Sequence, residues 1–154
     1  MIDPFLIFAA LVVLPLVLLF RFMGCDKVFG LRPVDPPEAQ LVVKVRVPTA
    51  LTVNEIRFRV IRPNGAENVV TQTDPMSQGT ADGDNLFTHS ETPEIGSWTV
   101  NCRLDVTDSN GISDPDQDTG AFLLEDADTA HEATFQATGT PSDGNFNVVF
   151  VGLS

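Results

Sequence analysis

The rhythm of apolar residues divides the chain. From Gln40 onward apolar and polar positions alternate. In Leu41-Val42-Val43-Lys44-Val45-Arg46-Val47 and in Glu55-Ile56-Arg57-Phe58-Arg59-Val60-Ile61 the basic side chains fall on one side and the aliphatics on the other. Successive side chains of an extended chain point to opposite faces, so this period of two marks half-buried strands. Further stretches with strand character are 68–73, 85–88, 97–107, 120–124, 132–138 and 145–151. Turn chemistry separates them. Arg62-Pro63-Asn64-Gly65 offers proline at a fixed φ and glycine for a positive one, and Pro141-Ser142-Asp143-Gly144 repeats the device. About seven or eight short strands joined mainly by hairpins, with no amphipathic helix among them, predict an all-β domain folded as an antiparallel two-sheet sandwich.

Upstream of Gln40 the pattern is of another kind. Residues 4–20, PFLIFAALVVLPLVLLF, are apolar without a break and end at Arg21. Roughly 17 to 25 residues are needed to cross a hydrocarbon core as a helix, and residues 4–23 meet that minimum if Arg21 snorkels to the interface. Pro15 removes one helical hydrogen bond, which a bilayer helix tolerates when neighbours re-satisfy the freed carbonyl. The expectation is a single N-terminal hydrophobic helix over 1–29, buried in a lipid bilayer or against copies of itself through residues 4–23.

Three readings compete for this segment. A retained anchor leads. A cleaved signal lacks the usual positive charge in its first residues and a small-residue cleavage site. In a lipoprotein signal, Cys25 would carry the lipid, but Phe22-Met23-Gly24-Cys25 matches a lipobox poorly. Residues 30–39, GLRPVDPPEA, form a proline-rich extended linker, and 40–154 form the sandwich. Orientation is contested. Arg21, Lys27 and Arg32 after the run place the domain in the cytoplasm by the positive-inside rule, whereas a β-rich, aspartate-rich, lysine-poor domain reads as extracytoplasmic, which is the side favoured.

Charge narrows the partners. The formal net charge is −12, so a nucleic-acid partner or a polybasic grip on anionic lipid is disfavoured by repulsion, and no nucleic acid is expected. Lysine occurs only at Lys27 and Lys44, and aspartate outnumbers glutamate; base composition accounts for this bias more simply than a salty habitat. Of the two cysteines, Cys102 falls in a strand as a small core residue, and no spacing supports its pairing with Cys25.

The stretch Gly96-Ser97-Trp98-Thr99-Val100-Asn101-Cys102-Arg103-Leu104-Asp105-Val106-Thr107-Asp108-Ser109-Asn110-Gly111 places Trp98, Val100, Cys102, Leu104 and Val106 on one face and a turn at Asp108 to Gly111. It resembles the late-strand hairpin of bacterial immunoglobulin-like domains of the PKD and related types. The resemblance implies an immunoglobulin-like antiparallel β-sandwich used for adhesion, spacing or assembly, without intrinsic catalysis. It covers this hairpin alone; no W-D-F-G-D-G-like segment precedes it, and two extra strands follow.

Candidate chemistry is sparse. Asp114-Pro115-Asp116-Gln117-Asp118-Thr119-Gly120-Ala121-Phe122-Leu123-Leu124-Glu125 sets carboxylates at the first, third and fifth places and a glutamate at the twelfth. That spacing copies a calcium loop, in which hard oxygen donors converge from a tight turn, so Asp114, Asp116, Asp118 and Glu125 are the candidate ligands for Ca2+. Against it, glycine stands one place late and the flanks read as strands; an acidic hairpin connection is the plainer reading. Asp82-Gly83-Asp84-Asn85 reads as a turn. His89 and His131 are the only histidines. No nucleophile elbow, zinc-protease helix or phosphate loop accompanies them, and no cofactor is implied.

The expectation is a non-enzymatic, membrane-anchored cell-envelope protein that presents its sandwich to an unknown protein partner for interaction or structural assembly. The alternatives are a pilin-like subunit of an extracellular filament, with the apolar helix in the fibre core, and a weak calcium-binding module.

Overall fold

The computed structural model describes residues 39–154. Nine strands are assigned among them: β1 (Leu41–Pro48), β2 (Thr52–Ile61), β3 (Glu67–Thr73), β4 (Thr80–Ala81), β5 (Asp84–Glu91), β6 (Gly96–Thr107), β7 (Ser113–Leu124), β8 (His131–Thr138) and β9 (Asn147–Leu153). A short 3-10 turn at Pro141–Asp143 precedes β9. The strands form two sheets, one in the order β4-β5-β1-β8-β9 and the other in the order β3-β2-β6-β7. The domain is therefore an all-β two-sheet sandwich, compatible with an immunoglobulin-like domain. The described residues 39–154 fall within one compact unit.

Alternation produces the core. Leu41, Val43, Val45 and Val47 of β1 are fully buried, as are Trp98, Val100, Cys102, Leu104 and Val106 of β6, and the residues between them face outward. Each large aliphatic or aromatic side chain taken out of water in this way contributes roughly 1.5–3 kcal/mol. In β2 the phase slips once. The register shifts between Val53 and Glu55, so Val53 and Ile56, three apart, both point inward. Asn54 at this bulge donates to Asp105 Oδ1 at 3.1 Å and to Thr107 Oγ1 at 2.8 Å, turning an irregularity into a tie between β2 and β6.

The turns follow their sequence signals. The β2–β3 hairpin closes through Arg62 N–H to Ala66 O, with Gly65 at φ 81°. Asp82 and Gly83, at φ 55° and 86°, join β4 to β5, a two-residue hairpin turn whose backbone twist matches its strands. Asp108 accepts from Asn110 N–H and Ile112 N–H at 2.9 and 3.1 Å and holds the β6–β7 turn; its other oxygen takes Ser142 N–H at 2.9 Å.

Two expectations are corrected. The sandwich is not purely antiparallel, because β1 pairs with β5 antiparallel but with β8 parallel, Val45 lying beside Phe135. β8 enters this sheet after β7 has run in the opposite sheet, and that crossing delivers it in the same direction as β1. The second correction concerns residues 113–119, expected as a loop. They form the first half of β7, paired with β6 along its whole length from Gly96 with Leu124 to Thr107 with Ser113. The expected N-terminal helix, Cys25 and the linker up to residue 38 lie outside the described residues. Among the described residues no helix is long and apolar enough to cross a membrane.

Candidate functional site

The polar side chains that link the two sheets gather at the two margins of the sandwich. At the first margin β7 and β9 are the outer strands of their sheets. Asp114, Asp116 and Asp118 lie opposite Val106, Leu104 and Cys102 of β6, all three fully buried, so the aspartate row faces into the sandwich. It continues in phase through Gly120, Phe122 and Leu124. Asp116 accepts the backbone N–H of Val148 at 2.6 Å, and Asp118 that of Phe150 at 2.7 Å. These N–H groups point away from β8 and would otherwise be unpaired. Two carboxylates thus occupy an open sheet edge.

Packing reinforces this margin. A Cβ added at Gly120 would lie 2.4 Å from the Phe150 ring, so the bare backbone there makes the space that Phe150 fills. Phe122 stacks on Phe150 with ring centres 6.1 Å apart, and Phe135 meets the same ring at 5.1 Å. Cys102 beside Asp118 is fully buried. Burial and then the Asp118 charge push its thiol far above the usual range, which leaves it inert as a nucleophile.

The candidate calcium ligands are therefore placed as follows. Asp114, Asp116 and Asp118 share one face of a strand, spaced about 6–7 Å apart by the rise of two residues. Glu125 follows the end of β7. The tight turn that would gather all four oxygens is not how this segment folds. Among the described residues no group of three or more His, Cys, Asp or Glu side chains is gathered so as to hold a metal ion.

At the second margin, where β5 faces β2 and β3, the contacts run from side chain to side chain. Glu91 is 5% exposed. Its Oε1 accepts from Asn68 Nδ2 at 2.6 Å and from His89 Nε2 at 2.7 Å, and its Oε2 from Arg62 Nη2 at 2.5 Å. Burial pushes the Glu91 carboxyl up, but the donors His89, Asn68 and Arg62 together outweigh it and hold the pKa below the ordinary value. The His89 ring also stacks on Phe58 of β2 at 6.1 Å. Nearby, Trp98 Nε1 donates to Glu94 O at 2.8 Å.

This cluster was missed by sequence reasoning. His89 and Glu91, two apart on β5, share a face, and that spacing was the available signal; Arg62 and Asn68 come from another hairpin and no local pattern announces them. The three hydrogen bonds that Glu91 accepts all come from side chains at the seam between the sheets. Compared with protein-family models, with curated proteins and with solved structures, the chain has no match in any of the three.

Proposed function

We propose that this is a non-enzymatic, membrane-anchored protein of the cell envelope whose immunoglobulin-like sandwich is presented outside the membrane for interaction or structural assembly. The observation that carries the reading is the uninterrupted apolar run of residues 4–20, closed by Arg21, ahead of a proline-rich spacer and a separately folded β domain. The polar clusters support it. Glu91, His89, Asp116 and Asp118 all hold one sheet to the other, which is the work of a rigid presenting module.

The immunoglobulin-like reading has its own support in the strand order. β3-β2-β6-β7 is built from two hairpins brought side by side, and β4-β5-β1 forms the opposite layer, an arrangement of the kind found in immunoglobulin-like sandwiches. The β8–β9 pair beside β1 is the departure from it. A bilayer-held protein and a filament subunit are separated by fractionating cells without detergent and examining the fractions by electron microscopy. The anchored reading expects the chain in sealed membranes; the chain in fibres would replace it with the pilin-like alternative.

A further inference from the structure

Among the described residues the sandwich has four outer strands, and three are guarded along at least part of their length. β9 has the N–H groups of Val148 and Phe150 taken by carboxylates. β7 carries the inward-pointing Asp114, Asp116 and Asp118 and also Pro115, which by ladder parity from the backbone bond of Asp108 N–H to Ile112 O occupies an outward position and so offers no N–H there. β4 is two residues long. β3 differs from all of them. Its seven residues, Glu67-Asn68-Val69-Val70-Thr71-Gln72-Thr73, contain no proline, no lysine, no inward-pointing charge and no bulge against β2. These are the devices by which natural sheets blunt an edge.

Parity shows which groups are open. The hairpin closes on Arg62 N–H to Ala66 O, so alternate β3 residues Asn68, Val70 and Gln72 bond inward to β2. Glu67, Val69, Thr71 and Thr73 then direct their N–H and C=O groups outward. Val69 beside this edge is 41% exposed.

The geometry points to β3 as a homotypic docking edge that pairs antiparallel with β3 of a second copy of this chain, about a twofold axis at Val70, joining two four-stranded sheets into one. The strand is complementary to itself in this register. Val69 meets Thr71 of the second copy, β-branched against β-branched, and Asn68 meets Gln72. Glu67, the strand's one charge, meets the neutral Thr73, so no like charges stand opposite. Glu67 also keeps its two-point contact with Arg59 at 2.8 and 2.9 Å.

One strand pair is small against the roughly 1,000 Å² that a stable interface buries. Pairing is therefore weak in dilute solution and strong when copies are concentrated on one surface. This strength rests on the anchored reading; the pairing register does not.

The test uses the full chain in phosphatidylcholine vesicles, with p-benzoylphenylalanine at position 69 and equal amounts of 15N-labelled and unlabelled protein. Irradiation is expected to give mixed-isotope crosslinks that map to residues 67–73 of the other copy. Thr71→Pro removes an outward N–H and leaves the β2 ladder intact, and should lower the yield about tenfold or more. Thr71→Glu, which stands opposite Arg57 of β2 in its own chain, keeps every backbone N–H and should fold as the natural chain does; it brings two like charges near the axis, and should lower the yield at low salt and recover with salt. Crosslinks that map elsewhere, that survive both variants unchanged, or that do not form would overturn the proposal. Flotation of the same vesicles reports the anchor separately. Protein that fails to float sinks the anchor, and crosslinking is then read at millimolar protein, where every outcome keeps its meaning for the edge.

Discussion

The two margins of the sandwich solve the same problem by different chemistry. Where β7 meets β9, carboxylates reach across and accept backbone N–H groups, so side chains complete a sheet edge. Where β5 meets β2 and β3, Glu91 is surrounded by donors from three other residues, and among the described residues no strand pairs with the outer backbone edge of β3. Desolvation explains the contrast. A buried carboxylate needs partners wherever it lies, but only backbone partners also close an edge. One margin has its β9 edge sealed at two N–H groups by carboxylates, and the other is held together without such sealing.

Trp98 sits between the two regions and offers the strongest way to break both. It lies opposite Phe122 of β7, which stacks on Phe150, and its Nε1–H reaches Glu94 O beside Arg62. Trp98→Ala should cost about 3–5 kcal/mol by loss of packing. Denaturant midpoints measure this; an unchanged midpoint with an unchanged slope would place Trp98 outside the cooperative core.

Next in size is the donor-ringed margin. Glu91→Ala removes a carboxylate whose partner Arg62 keeps some solvent, so about 2–4 kcal/mol is expected, short of the full cost of stranding a buried charge. Glu91→Gln is milder and tests the electrostatics. The folded-state pKa of Glu91 is held below its ordinary value of 4.5, so the folded protein binds fewer protons there than the unfolded chain. Its contribution is complete above about pH 4.5 and is lost as pH falls from there through the folded value. Stability measured from pH 7 downward should fall less steeply for Glu91→Gln than for the natural chain in that acid window. Parallel curves would mean that Glu91 is not selectively stabilised as the carboxylate.

The sealed margin should yield smaller effects. Asp118→Ala leaves the Phe150 N–H without its acceptor, and Asp116→Ala does the same to Val148; each should cost about 1–3 kcal/mol. The diagnostic reading is local. Amide exchange at Val148 and Phe150 should accelerate in the matching variant and leave β3 unaffected, whereas uniform acceleration would show that the aspartates act on global stability alone.

Much of the fold was legible because alternation is a direct record of a two-faced environment. β1, β2 and β6 have an apolar side chain at each inward place, and β1 and β6 are found within a residue of their expected bounds. β7 was half read. Its inward row begins with Asp114, Asp116 and Asp118, which carry no apolar signal, although the period of two continues in phase into Gly120, Phe122 and Leu124. The spacing that resembled a metal loop is also the spacing of one strand face. The parallel pairing of β1 with β8 had no local trace, since a partner from the far end of the chain is chosen by tertiary packing. The same holds for Arg62 and Asn68 around Glu91, where only the His89–Glu91 spacing was visible beforehand.

The smallest expected effect is the sharpest test of the sealed margin, because calcium and β9 compete for the same oxygens. To be ligands, Asp116 and Asp118 would have to release the Val148 and Phe150 N–H groups and converge with Asp114 and Glu125 from a straight strand. Releasing two part-buried N–H groups costs about 1–3 kcal/mol each, which a weak site of the extracellular class, with affinity near 10⁻⁴ to 10⁻³ M, does not offset at millimolar metal. Millimolar calcium should accordingly leave the melting temperature where chelator leaves it. Asp116→Asn with Asp118→Asn should lower it equally in both, because an amide oxygen is a weaker acceptor than a carboxylate. A calcium-dependent rise in the natural chain that the double variant abolishes would reverse the assignment: the aspartate row would then be a metal site, and β9 would join β3 as an edge left open.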